Sequence, residues 1–269
     1  MKNQKKKKKK RIATINKRLL IVGSILVIAV LVIAIVLFTI KEAPFDTTIT
    51  LNFKDRTKKS LEFKHGDFYT VGWIQVQGTN IDMPVINGFD YGDDGISDYA
   101  WRSSEYDTDE TREVIGGHNI INLSSTPIRD MSMLNYFEGL MAFTYYDFAQ
   151  DNLYISYTKE GQEGLYKIYA IGFYDSAGNN DRSMSNPEQI KEYITSVRDN
   201  SIYDYDIEVD EDDELITIKT CTRYFGAFEK QLFVIDARKV RDNEEIEKYK
   251  VKKSKNFDML SEGVTTENG

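Results

Sequence analysis

Val71-Gly72-Trp73-Ile74-Gln75-Val76 leads through Gly78-Thr79-Asn80 into Ile81-Asp82-Met83-Pro84-Val85. The first six residues are rich in β-branched and aromatic side chains, the middle three are turn formers, and Ile81, Met83 and Val85 return at period two. A strand, a turn and a second strand with one buried face is the structure this pattern predicts. Further short apolar runs, punctuated by turn residues, lie at 113–117, 140–146, 153–158, 165–174, 214–221 and 232–238. Many short strands of this kind predict an all-β-dominated sandwich or barrel. The 17 tyrosines and 14 phenylalanines suit strands better than helices.

One segment breaks the pattern. Asn186 is placed to act as an N-cap, Pro187 fits the first helical position and Gln189 fits the third position of a capping box. Ile190, Tyr193, Ile194 and Val197 then repeat at i, i+3, i+4 and i+7, which predicts a helix over 187–199 with one apolar stripe.

The composition, 41% apolar and 29% charged over 269 residues, is that of a globular chain rather than a collagen-like, mucin-like or wholly disordered one. A single cysteine excludes an intramolecular disulfide and a Cys-rich zinc framework, and two histidines leave little material for a His-based metal site. No metal or other cofactor is therefore expected. Eleven of the 35 basic residues lie in 1–41, while all 43 acidic residues lie beyond it. A body this acidic is not built to neutralise phosphates, so no nucleic-acid partner is expected.

Residues 19–40 form an uninterrupted run without a charge. As a helix rising 1.5 Å per residue, it is long enough for the roughly 30 Å hydrocarbon core of a bilayer. The run is longer than the apolar region of a cleavable signal peptide, about 7–15 residues, and Phe38-Thr39-Ile40-Lys41 is not a small-residue cleavage site. The expectation is an uncleaved signal anchor in the lipid bilayer. The lysine-rich arm 1–18 would be cytoplasmic and the remainder extracellular, with anionic-lipid contact for the lysines. Residues 41–70 read as a stalk and entry segment, 71–241 as the folded domain and 242–269 as a polar tail whose last twenty residues are disordered.

Two stretches carry chemistry: Val114-Ile115-Gly116-Gly117-His118-Asn119 and Ile216-Thr217-Ile218-Lys219-Thr220-Cys221. In each, a reactive side chain follows a short apolar run, where a strand fixes the backbone and a loop begins. A thiol beside an imidazole is the smallest nucleophile–base pair. Taken singly, each is equally well a structural residue: Cys221 a small core hydrophobe, His118 a satisfied imidazole. The alternative of a papain-like peptidase is disfavoured, because such enzymes place the cysteine at a helix N-terminus and ahead of the histidine.

Across residues 68–241 the sequence resembles the sortases, most closely class B. The resemblance rests on Val71 to Val76 with Gly78 to Val85, on Gly117-His118-Asn119 followed by Met131-Ser132-Met133-Leu134, and on Thr217-Ile218-Lys219-Thr220-Cys221, which matches the family's TLxTC with Ile for Leu. The helix over 187–199 falls where class B sortases insert one. What the resemblance implies is a closed eight-stranded β-barrel behind a transmembrane helix, with the inserted helix as one wall of a groove. It implies a transpeptidase that cleaves a C-terminal sorting motif of a secreted protein, often Asn-Pro-x-Thr-x, through a thioacyl intermediate on Cys221. His118 would serve as proton shuttle, and the amine of a peptidoglycan precursor or a pilin would accept the product. Asn119, Thr220, Gln231 and Tyr193 are the expected substrate-binding residues.

One position departs from the family. Sortases carry an essential arginine about ten residues after the cysteine, and here that residue is Gln231. Arg238 lies roughly 20 Å along the last strand at about 3.3 Å per residue. Arg223, two residues past Cys221, is the expected substitute, with Gln231 able to donate a neutral hydrogen bond and backbone N–H groups as the remaining source of oxyanion stabilisation. A degenerate sortase-fold module that binds or scaffolds is the competing reading. His65, Trp73 and Trp101 read as structural residues. The acidic runs Asp204, Asp206, Glu208, Asp210 to Glu214 and Asp90, Asp93, Asp94, Asp98 read as solvated loops, since neither has the spacing of a calcium loop.

Overall fold

The computed structural model describes residues 23–32, 45–88, 99–102, 112–119, 137–175, 184, 186–226 and 230–263. The chain divides into two compact units, Met1–Asp46 and Thr47–Gly269. In the first, residues 23–32 form α1, whose apolar side chains, Ile25 to Ile28 and Val30 to Val32, are exposed. Among the described residues no helix is long and apolar enough to cross a membrane. The rest of the expected span 19–40, the arm 1–18, the motif Met131 to Leu134 and the acidic loop with Asp90, Asp93, Asp94 and Asp98 lie outside the described residues.

The second unit is a closed barrel. Its elements in chain order are α2 (Thr57–Glu62), β1 (Lys64–His65), β2 (Phe68–Val76), β3 (Asp82–Asn87), β4 (Ala100–Arg102), β5 (Arg112–Gly117), a 3₁₀ segment (Phe137–Thr144), α3 (Tyr146–Asp151), β6 (Tyr154–Lys159), β7 (Gln162–Tyr174), α4 (Pro187–Asn200), β8 (Tyr203–Tyr205), β9 (Leu215–Cys221), β10 (Leu232–Lys239), β11 (Val251–Lys253) and α5 (Leu260–Gly263). The strands join in the order β2-β3-β4-β5-β9-β10-β7-β6, and β6 pairs back onto β2, so eight strands close the ring. Closure removes the open edges a sheet would otherwise present. Strand β1 adds only a two-residue pairing to β2.

The barrel interior takes one face of each strand. Ile74, Val85, Ile115, Tyr157, Ile218, Phe233 and Ile235 meet there, each no more than 1% exposed. Helix α4 covers the outside of the same wall, where Ile190, Tyr193, Ile194 and Val197 pack with Tyr169 and Leu215. Its start is as the sequence predicts: the Asn186 Oδ1 accepts from the Gln189 N–H at 3.0 Å, with Pro187 in the first turn.

Three expectations are corrected. Residues 140–146 are not a strand; Leu140, Met141, Ala142 and Phe143 belong to the 3₁₀ segment, all eight of whose residues are buried. Buried on every side, the run lacks the alternation that separates a strand from a helix. Residues 242–263 are not a loose tail: Tyr249 donates to the carbonyls of Leu153 and Ile168 at 2.8 Å, β11 pairs with β8, and Tyr249, Val251 and Leu260 are buried. Nor is 47–70 a stalk: Lys248 N–H donates to Thr47 O, Lys54 and Gln75 exchange two hydrogen bonds at 2.9 Å, and Arg56 pairs with Asp82. Both flanks hold their apolar residues too far apart, among charges, to show a period.

Candidate active site

Most neighbouring strands in the barrel are antiparallel, but β5 and β9 are parallel and in register from Arg112↔Leu215 to Gly117↔Thr220. The next residue along each is His118 and Cys221. Neighbouring strands run about 4.8 Å apart, so two residues a hundred positions apart in sequence finish side by side at one rim. Two hydrogen bonds lock the ends together. Thr220 Oγ1 donates to Gly117 O at 2.7 Å, and Asn119 Nδ2 donates to Cys221 O at 2.9 Å.

Alternation along the strands assigns the faces. Ile216 and Ile218 belong to the interior cluster, whereas Leu215 packs under α4 and the Thr217 hydroxyl lies 3.0 Å from that of Tyr193 of that helix. Lys219 and Cys221 continue the outer stripe, and Cys221 is exposed. On β5, Ile115 is interior and Arg112, at the other end of the strand, lies under α4 with its guanidinium 4.4 Å from the Tyr193 ring. The outer face of β5 and β9 thus leads to His118 and Cys221 at the rim, with α4 laid across the same face farther from it.

Gly116 and Gly117 are required by packing. A Cβ on Gly116 would lie 2.7 Å from the Trp101 indole, and one on Gly117 would overlap the Phe137 ring. Both residues, Trp101 through its ring and Phe137 through its backbone, then hold the histidine. Trp101 sits with its centroid 4.9 Å from that of His118, and Phe137 N–H donates to His118 O at 2.8 Å. Burial pulls the His118 imidazole below its ordinary pKa, and the buried carboxylate of Glu138 partly offsets this. Burial likewise pushes the Cys221 thiol up, opposed by the ammonium of Lys219. Both shifts favour the uncharged thiol and the uncharged imidazole at neutral pH.

The other expected residues separate. Arg223 is exposed in the turn after Cys221, its carbonyl accepting from Gly226 N–H at 2.9 Å. Gln231 is half-buried directly before β10; its carbonyl accepts from Thr222 N–H at 2.8 Å, and the next residue, Leu232, pairs with Cys221. Asn119, 4% exposed, contacts the backbone of Cys221. Two of the expected substrate-binding residues are buried and engaged within the barrel. Thr220 is 2% exposed and its hydroxyl is spent on Gly117. Tyr193 is buried, its hydroxyl donating to Asp236 at 2.5 Å and lying 3.0 Å from the Thr217 hydroxyl, so it pins α4 to the barrel. Arg238 is committed elsewhere, bidentate to Glu244 at 2.6 Å and donating to Glu208 O.

Glu138, Trp101 and Lys219 are site neighbours that sequence reasoning passed over. Period-two counting back from Cys221 would have found Lys219; Glu138 and Trp101 come from segments with no local signal. The acidic run 204–214 is more than a solvated loop, because both carboxylate oxygens of the buried Asp213 accept from Arg241 at 2.8 Å. Among the described residues, no group of three or more His, Cys, Asp or Glu is gathered as a metal site.

A closed eight-stranded barrel with a parallel pair carrying His and Cys to one rim, and a helix inserted between β7 and β9, defines the sortase fold of class B type. Solved structures agree. Sortase B of Clostridium perfringens superposes with a TM-score of 0.52 at 22% identity over 65% of this chain and 94% of that one. Sortase B of Listeria monocytogenes does so at 0.51 and 20%, over 68% and 98%. The Staphylococcus aureus sortase B–substrate complex gives 0.51 and 15%, over 70% and 83%. No protein-family model matches the sequence, and no curated protein matches it.

Proposed function

We propose that this chain is a sortase-type cysteine transpeptidase, anchored in the cell membrane through residues 19–40 with the barrel outside the cell. The observation that supports the chemistry is the parallel register of β5 and β9, which ends at Gly117 and Thr220, one residue before His118 and Cys221. The Cys221 thiolate attacks the scissile carbonyl carbon of a sorting motif. His118, as imidazolium, protonates the leaving amine; the C–N bond breaks and a thioacyl intermediate remains. An incoming amine from a peptidoglycan precursor or a pilin then attacks that carbon, gives its proton to His118 and releases the thiolate. Effective molarity in the groove favours the amine over water. Asn119 holds the nucleophile's backbone, and Arg223 or Gln231 faces the developing oxyanion. The exposed apolar side chains of α1, next to an arm of lysines, support the anchor.

The test is cleavage of fluorogenic peptides bearing sorting motifs, Asn-Pro-x-Thr-x among them, by the full chain in detergent with and without an amine. Cys221→Ala and His118→Ala should each lose about 10³-fold or more, and added amine should divert product from hydrolysis to transfer. Turnover retained in Cys221→Ala would remove the thiol from the mechanism. Gln231 in place of the expected arginine favours a second reading, a degenerate sortase fold used as a binding or scaffold module. Selective labelling of Cys221 in the native state by a vinyl sulfone argues against it. Protease protection of residues 1–18, with cleavage of the barrel's loops, in intact cells tests the topology.

A further inference from the structure

The outer stripe of β9 is Leu215, Thr217, Lys219 and Cys221. Its first two members are covered by α4. The last is exposed. Lys219 is half-buried and lies between them, in register with Gly116 of β5 and Val234 of β10. Alternate residues on one strand face are about 6.6 Å apart, a distance the flexible lysine stem spans. Among the described residues, the groups placed to act on the thiol are His118 at the end of β5, Lys219 on its own strand and Arg223 in the following turn. Strand β10 presents Leu232 opposite it, preceded by the uncharged Gln231. Lys230, one residue farther back, has its Nζ 4.8 Å over the Phe225 ring.

The geometry points to Lys219 as a further residue of the site: a positioning charge on the outer face of β9, one strand step behind Cys221, that favours the thiolate and the negative charge developing as it attacks. This rests on the reading of Cys221 as a nucleophile and extends it. In this chain the cation then comes from within the nucleophile's own strand, where Gln231 at the start of β10 supplies none. The electrostatic direction agrees, since Lys219 lowers the Cys221 pKa against the effect of burial.

Cys221 is the only cysteine, so its alkylation by iodoacetamide can be followed by intact mass without ambiguity. The rate is measured against pH on the full chain in detergent for wild type, Lys219→Met, Lys219→Arg and Lys219→Glu. Lys219→Met should raise the inflection by about half to one pH unit and slow alkylation at pH 7 about three- to tenfold. Lys219→Arg should stay within about twofold of wild type, and Lys219→Glu should shift the inflection further upward. Raising the salt concentration should move the wild-type inflection in the same direction as Lys219→Met, a measurement that needs no variant to fold. An inflection unmoved by Lys219→Met and by salt, or an arginine variant that behaves like the methionine one, overturns the inference. Alkylation uses no peptide, so the two readings fail separately. Peptide transfer with an unmoved inflection sinks the role of Lys219 alone; a shifted inflection with no transfer on any motif sinks the transpeptidase alone.

Discussion

Tyr193→Phe separates the two roles open to this residue, groove contact and pin. In the structure its hydroxyl and that of Thr217 both donate to Asp236 Oδ1, at 2.5 and 2.6 Å, and the Arg112 guanidinium closes the cluster from over the ring. Burial pushes the Asp236 carboxyl up, with the two hydroxyls and Arg112 opposing. Deleting the phenolic oxygen leaves Asp236 with one hydroxyl donor in a site closed to water, a loss of about 2 kcal/mol. For a unit of this size that is a fall in melting temperature of about 4–8 °C. The partner Thr217 lies four residues before Cys221, about 13 Å along the strand, so kcat/KM for a sorting-motif peptide at 25 °C should stay within about threefold of wild type. Circular dichroism melts and initial rates on the same preparation read both quantities. An unchanged melting temperature with a tenfold or greater loss of kcat/KM would return Tyr193 to the groove and refute the pin.

Gly117→Ala should cost about 2–4 kcal/mol, because the new methyl overlaps the Phe137 ring in a fully buried segment; a melt within 1–2 °C of wild type, about half a kcal/mol, would contradict this. Burial depresses the His118 imidazole and raises the Cys221 thiol. Peptide kcat/KM should therefore climb with pH through a value below that of an ordinary histidine and decline only above that of an ordinary thiol, so a declining limb below about pH 8 would be inconsistent. Arg223→Ala should reduce kcat/KM about ten- to a hundredfold with stability unchanged. Arg238→Ala should do the reverse, losing about 3 kcal/mol as Glu244 is left without its bidentate partner while the chemistry at 25 °C is spared; equal small effects of the two on activity would show that neither guanidinium acts on the oxyanion.

The strands of the barrel were legible because short runs rich in β-branched and aromatic residues are bounded by turn formers, and Ile81, Met83 and Val85 keep period two. The helix over 187–199 was legible for a different reason: a side-chain cap and a 3.6-residue stripe are local signals that need no partner. The 3₁₀ segment was not, since Leu140 to Phe143 are buried all round and a run of four apolar residues fits either period. The C-terminal segment was missed because Tyr249, Val251 and Leu260 stand among charges, and their burial depends on surfaces that β6, β7 and β8 provide.

At the site, residue type and local context singled out His118 and Cys221, because a thiol and an imidazole at strand ends are uncommon chemistry in a chain with one cysteine and two histidines. Their meeting belongs to the tertiary structure. Only the parallel pairing of β5 with β9 brings the two ends to one rim, and pairing across a hundred residues leaves no trace in either segment. The same holds for Tyr193 and Lys219. A helical stripe marks the first as half of some interface, and alternation puts the second on the cysteine's face. Which of them α4 covers is decided by where that helix comes to rest on the barrel wall, a matter of packing between elements rather than of order along the chain.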